Sequence, residues 1–438
     1  KKTTVKKKGG EKSHFFSKFS KEYFGKNNSK NLFEVNLQEI SNDKYLKLYK
    51  IKSNLVDFNS DTLNNSLSFT RENEDSFFGL NASVYESISE DYNDKYEYIF
   101  PEIAFDKNLF SDNKFGVLDY QTNIKFHNYD TNKTNKFLVN DFNWNYKDLI
   151  SSFGINNKIT GHFRNINYES KNVDIYKDDP TSELFGAIGL TSSINLQKDI
   201  NQTNHFLTPK ILFRYAPGSM RQETSGSRLE PLTAFSMDRL DNTYNFETGL
   251  NAAVGLDYTI SKNDLKKFDF SIAQIINSEE NKKMSDESSL NEKLSDLVGT
   301  MSLGNDKAKL SYNFNIDQNY KEFNYNELTT SYNFDPFQIN LNYLKEQKHL
   351  GNQEYLKTKL DIFKNDNNQL SFENKRDLIT NSSEFYNLSY EYINDCLRAG
   401  LVYRREFYND SEIEPENSLM FKITLSPFGD VFSPSFRN

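Results

Sequence analysis

The sequence predicts an all-β fold, a large antiparallel β-barrel that spans a membrane, and three observations carry that expectation. Apolar residues recur at every second position over segments longer than an ordinary strand. The apolar faces so defined contain no Lys, Arg, Asp or Glu. No apolar run approaches the roughly 18 residues that a spanning helix requires, so any crossing of a bilayer must be made by strands.

The alternation is clearest at Asn245 to Ile260. There Phe246, Thr248, Leu250, Ala252, Val254, Leu256, Tyr258 and Ile260 alternate with Asn245, Glu247, Gly249, Asn251, Ala253, Gly255, Asp257 and Thr259. Period two sends the first set to one face of a strand and the second to the other. The pattern repeats at Leu207, Pro209, Ile211, Phe213 and Tyr215, and at Leu118, Tyr120, Thr122, Ile124 and Phe126.

Towards the C-terminus it becomes a run of hairpins. Leu328, Thr330, Tyr332 and Phe334 turn at Asp335-Pro336 into Phe337, Ile339, Leu341 and Tyr343. Leu356 to Ile362 turns through Lys364–Asn368 into Leu370 and Phe372, and Tyr386 to Tyr392 turns through Asn394-Asp395 into Leu397 to Tyr403. A last strand holds Leu419, Phe421, Ile423 and Leu425. Asn, Asp, Gly and Pro supply the backbone angles that such turns need. The whole reads as one meander of roughly twenty strands.

A soluble β-sandwich also alternates polar and apolar residues. Two features favour a membrane barrel instead. Several segments reach the roughly nine to eleven residues of a tilted spanning strand, and a charge at mid-membrane on the lipid face costs about 2–4 kcal/mol, which explains the uncharged faces. Arg398, Arg404 and Lys422 fall on the opposite, wet face.

Composition narrows the field further. The chain has 438 residues, 36% hydrophobic and 15% aromatic, with 37 Phe and 26 Tyr, too many aromatics for a solvated coil. A net charge of -9 gives no basis for nucleic-acid binding. Residues 1–30 mix basic runs with Phe15, Phe16, Phe19, Tyr23 and Phe24 and are expected to be a loop or disordered lead-in, leaving 31–438 as one barrel domain. Two polar stretches, Ala216 to Tyr244 and Glu279 to Glu292, are too long for hairpin turns, and the first is expected outside the membrane or folded into the barrel mouth.

Chemistry of the enzymatic kind is not legible. His14, His127, His162, His205 and His349 are scattered without HExxH or paired-ligand spacing, and neither a nucleophile elbow nor a phosphate loop occurs. No catalytic residue, cofactor or metal site is predicted. The single cysteine, Cys396, has no partner within the chain.

Two segments carry a resemblance. Leu207 to Met220 reads LTPKILFRYAPGSM, and after a variable loop Phe235 to Ile260 reads FSMDRLDNTYNFETGLNAAVGLDYTI. This is similar to the central signature of the LptD family of lipopolysaccharide-assembly proteins: a strand with a proline near its start, a loop ending in Asp-Arg, then a long Gly-containing strand. Pro209, Pro217, Asp238, Arg239 and Gly249 match that pattern. SNDKYLKLYKIKSNLVDF at Ser41 to Phe58 resembles the upstream barrel of alphaproteobacterial members, and YEYINDCLRAGLVYRREF at Tyr390 to Phe407 resembles the family's cysteine-bearing hairpin.

The resemblance implies an outer-membrane translocon of a Gram-negative bacterium. Its partners would be lipopolysaccharide, an LptE-like lipoprotein plug, an LptA-like periplasmic bridge reached through an N-terminal domain, and the barrel-assembly machinery. It implies that saccharide passes the lumen while lipid A leaves through a lateral seam between first and last strands. Leu419, Phe421, Ile423, Leu425 and Pro427 are the candidates for one side of that seam. It implies a disulfide from Cys396 to the periplasmic domain and a barrel incomplete in this chain; Asp238 and Arg239 are expected to form a buried charge pair that fixes the long loop in the lumen, against the alternative of an exposed surface pair of little worth. A general outer-membrane porin or channel shares every periodicity argument and stands as the alternative.

Overall fold

The computed structural model of the chain describes residues 13–437 apart from 50, 52–54, 58–59, 89–94, 131, 224–227, 263–264, 306, 350, 366, 395–396, 407–416, 426–428 and 433–435. Among the described residues 25 strands join one sheet, and each ladder is antiparallel to its neighbour in the chain's own order. The meander predicted by period two is therefore the observed topology. Among the described residues helix is confined to Tyr45–Tyr49 and three short 3-10 turns, and none is long and apolar enough to cross a membrane.

The strands are long. Tyr96–Asp112 and Ile155–Lys171 have 17 residues each, and Gly116–Tyr129, Thr181–Ile194, Thr203–Ala216 and Gly249–Lys262 have 14. That length exceeds the five or six residues usual in soluble sheets. The alternation decides which face meets which medium: Phe213, Tyr215, Leu250, Val254, Leu328, Leu388, Leu401 and Phe421 stand exposed on the outer face. Their neighbours Leu212, Arg214, Ala216 and Ala253 are at most 1% exposed on the inner one. An outer face this apolar is unfavourable in water and suited to hydrocarbon.

The two longest loops share one end. Turns 25–29, 73–75, 113–115 and 201–202 and the connection 146–154 close the opposite end, whereas 130–132, 172–180, 217–248 and 278–296 lie at the loop end. The two longest fold inward and supply the core. One cluster joins Met220, Leu229 and Ala234 of the first loop, and Met284 and Leu290 of the second, to Leu212, Ala253, Ala273, Ile275 and Val298 of the wall. Another sets Phe246 and Tyr244 against Phe137, Val139, Ile166, Tyr168 and Phe185.

Two expectations about boundaries are corrected. The sheet starts before residue 31: His14–Phe24 is a strand paired along its length with Lys30–Ile40. Its basic residues hid an alternation in which Phe15, Phe19 and Tyr23 share the exposed face. The strand expected from Asn245 begins at Gly249, because Asn245, Phe246, Glu247 and Thr248 are buried inside the lumen. At the far edge, Asn417–Leu425 is followed by Gly429–Phe432 and Phe436–Arg437, which pair along its free side. No described ladder joins these C-terminal strands to His14–Phe24.

Candidate functional site in the barrel lumen

The inner faces of three wall strands place charged side chains where loop 217–248 enters. On Lys133–Asn145 and Ile155–Lys171, directly opposed residues bring Asp141 against Arg164. Arg164 donates through Nε to Asp141 Oδ1 at 2.6 Å and through Nη1 to Asp238 Oδ2 at 2.8 Å and to the Asn245 carbonyl at 2.9 Å. His162 Nε2 lies 2.8 Å from the same Asp141 oxygen. Wall and loop thus share one arginine.

A second arginine repeats the device. Arg214, fully buried on Thr203–Ala216, donates through Nε to the Met237 carbonyl at 2.7 Å and through Nη2 to the Glu247 carbonyl. Arg239 grips the Glu247 carboxylate with Nε at 2.7 Å from Oε2 and with Nη2 on Oε1. The Phe246 ring lies between the Arg164 and Arg214 guanidiniums, 5.5 and 5.8 Å from its centroid, and stacks on Phe185. Burial alone would raise the Glu247 carboxyl, but Arg239 and Arg214 hold it below the ordinary range. Burial dominates at Asp238 and keeps it above.

The upper part of the loop is held by aromatics. Arg221 pairs with Glu183 of the wall, and its guanidinium lies 5.1 and 5.2 Å from the Tyr168 and Tyr176 rings. Burial pushes the Tyr176 hydroxyl up to about 12. Tyr244 stacks on Phe137 at 4.0 Å.

Loop 278–296 locks onto the first. Glu223 N donates to the Lys283 carbonyl at 2.8 Å, and Lys283 Nζ to Ser219 Oγ at 2.7 Å. Across the lumen, Asn315 Nδ2 donates to the Leu229 carbonyl at 3.0 Å, and Arg228 pairs with Glu346 at 3.3 Å, 3.7 Å above the Tyr325 ring. His349, 3% exposed, bonds the Glu287 carbonyl through Nδ1, and burial keeps its imidazole below the ordinary range. Among the loops a cavity of about 450 Å³ is lined by Arg228, Asp238, Arg239, Leu240, Leu290 and His349.

Two glycines of the wall act as sockets. A Cβ on Gly189 would lie 2.6 Å from Met237 Sδ, and one on Gly255 would lie 2.8 Å from Phe235 Cζ. Glycine is what lets those two loop side chains reach the backbone of the sheet.

The residues singled out by the sequence are distributed over this site. The expected pair does not form: Arg239 is buried and the Asp238 side chain is 10% exposed, and they bond to Glu247 and Arg164 rather than to each other. Gly249 has φ +126 where the loop leaves the lumen and rejoins the wall, a backbone region that favours glycine. Pro209 sits within its strand, opposite the break between Thr181–Ile194 and Leu196–Ile200, where the neighbouring ladder has no bond to receive. Pro217 is exposed and opens the loop. Leu419, Phe421, Ile423 and Leu425 lie on Asn417–Leu425, one position inside the C-terminal edge. Cys396 and Pro427 lie outside the described residues. Arg164, Arg214 and Asp141, the wall's share of the network, were not foreseen; alternation assigns them to the wet face and says nothing of their partners.

Among the described residues no group of three or more His, Cys, Asp or Glu is placed to hold a metal ion. A model of the family described as LPS transport system D matches residues 15–372, most of the chain. The chain belongs to the LptD family. LptD proteins are transport proteins of the Gram-negative outer membrane, so the exposed apolar belt faces that membrane. Outer-membrane barrels keep short turns on the periplasmic side and long loops outside, which hangs loops 217–248 and 278–296 from the outer mouth of this LptD-family barrel.

Solved structures similar to it include the siderophore receptor PirA of Acinetobacter baumannii, at 8% identity and TM-score 0.40, covering 84% of this chain and 72% of that one. A mutant of the Rh. blastica porin matches at 10% identity and TM-score 0.25 over 69% and 91%. The copper transporter OprC matches at 7% and 0.31 over 83% and 69%. No individually curated protein matches the sequence.

Proposed function

We propose that this chain is the membrane-embedded part of a translocon that inserts lipopolysaccharide into the outer leaflet, saccharide through the lumen and lipid A through a lateral opening between the first and last strands of the complete barrel. Membership of the family over residues 15–372 carries the reading. The C-terminal edge is compatible with it: Gly429–Phe432 and Phe436–Arg437 pair along Asn417–Leu425 and, among the described residues, with no further strand. A seam that opens needs few ladder bonds, since each adds to closure.

An LptE-like lipoprotein, an LptA-like bridge and the barrel-assembly machinery are the partners of this reading, and a disulfide from Cys396 to a periplasmic domain would tie barrel maturation to oxidation. The decisive experiment uses the full-length protein with paired cysteines at Val431 and in the first barrel strand. Lipopolysaccharide delivery is expected to stop on oxidation and to return with reductant; unaltered delivery with the seam locked overturns the lateral route. For Cys396, gel mobility is expected to differ with and without reductant, and identical mobility removes the bridge. The porin alternative has the loops against it, since they pack into the lumen over the wall from Lys133–Asn145 to Phe337–Glu346 and narrow the passage that a diffusion pore keeps open.

A further inference from the structure

The loops leave part of the wall uncovered. Their polar contacts and core packing reach from Lys133–Asn145 to Phe337–Glu346, while Gln353–Asn365, Asn368–Asp377, Ser382–Ile393 and Leu397–Glu406 continue the sheet beyond them. On these strands Leu356, Leu370, Phe372, Leu388, Tyr390, Leu401 and Tyr403 are the exposed outer residues. The alternate set, Lys357, Lys359, Asp361, Glu373, Ser389, Glu391, Arg398 and Arg404, therefore faces the lumen.

That inner set holds three ion pairs of one polarity, beside a fourth pair on the same strands, Lys375–Glu384, whose members are nearly equally exposed. Lys359 keeps 44% of its side chain exposed where its partner Asp361 keeps 4%. Lys357 keeps 45% against 24% for Glu373, and Arg398 keeps 46% against 17% for Glu391. The carboxylates are further engaged at the wall: Asp361 accepts from Gln369 Nε2 and Ser371 Oγ, and Glu373 from Asn387 Nδ2. Ion pairing by itself does not dictate which member is exposed. In each of these three pairs the cation is the more exposed member, and in two of them the carboxylate is also hydrogen-bonded to the wall. On the plugged side the opposite holds, for the side chains of Arg214 and Arg239 are 0% exposed and that of Arg164 is 8%. On Tyr96–Asp112 and Gly116–Tyr129 the same face mixes Glu102 with Lys125 directly opposite it, and Asp119 opposite Asn108.

We propose that the uncovered wall is an anion track, with Lys357, Lys359 and Arg398 as its rungs, for a saccharide chain bearing phosphate or carboxylate groups. Weakly held, half-exposed cations over a neutralising layer suit transit rather than capture, because screened surface pairs are worth little individually and exchange partners at low cost. The inference rests on the translocon reading and assigns one side of the lumen to the path.

The test places a photo-crosslinking benzoylphenylalanine at Ser389, on the track, or at Gln121, on the other wall, in full-length protein with its partners in cells. Lipopolysaccharide is expected to crosslink at Ser389. The signal should fall at least about fivefold in the triple variant Lys357→Gln, Lys359→Gln, Arg398→Gln, the scale of a few lost charge contacts. The charge-preserving Lys357→Arg, Lys359→Arg, Arg398→Lys should retain it, and both variants are scored only at equal amounts of folded, heat-modifiable barrel. Crosslinking at Gln121 alone, or a Ser389 signal unchanged in the neutral triple, overturns the track and leaves the translocon reading standing. Absence of lipopolysaccharide from both positions, with transport intact, overturns both.

Discussion

Glu247, 3% exposed, carries two arginines, and its chemistry shows why the lumen loop is held so firmly. Removing one partner of a buried pair leaves an uncompensated charge and costs about 3–5 kcal/mol. Arg239→Ala is therefore expected to free the loop, seen as rapid protease cleavage within 217–248 in intact cells. A loop as protected as in the parent protein would contradict that role. The pH dependence has a definite sign. Because the folded carboxyl of Glu247 is held below its ordinary range, its contribution is complete above that range and is lost as pH falls through the depressed value. Asp238 runs the other way: burial holds it above its ordinary range, so protonation there relieves a cost. Protection of the loop should persist at neutral pH and fail only in strong acid; failure on alkaline titration would refute the assignment to Glu247.

At the scale of elements, the strands were legible and the loops were not, for a physical reason. A strand between lipid and lumen must alternate, and the alternation of Leu207 to Tyr215 or Leu328 to Tyr343 is a local property of the chain. Whether Phe246 points to lipid or into a core depends on residues such as Phe185 and Arg164, far away in sequence, so a period-two run extended four residues too early. The first strand failed in the opposite sense, its lysines obscuring Phe15, Phe19 and Tyr23. Asp238 and Arg239 were picked out by motif, but their partners came only with the fold. The sockets were silent as well, since a glycine in a strand reads the same whether or not a side chain rests on it. Gly255→Val should expel Phe235 by overpacking, at about 1–3 kcal/mol, and raise single-channel conductance in planar bilayers. Unchanged conductance with normal folding would show that Phe235 does not need the socket. Gly249→Ala, at φ +126, should destabilise the loop exit without opening the pore.

For the molecule as a whole, the loops narrow the interior from one side of the wall. The reconstituted full-length barrel is expected to conduct poorly, and deletion of 219–247 to produce large, steady currents; high conductance in the intact protein would favour the channel alternative. A less obvious consequence follows from the way the loops reach across the interior. Each ladder of the meander joins neighbours in sequence and fixes only the angle between two adjacent strands, so small freedoms in twist accumulate around the circumference. Loop 217–248 touches the wall at Arg164, Arg214, Asn315 and Glu346, points separated by many strands. Such chords set the curvature of the sheet between them: the plug is also the gauge to which this arc of the barrel is bent, and a shorter loop would give a tighter wall.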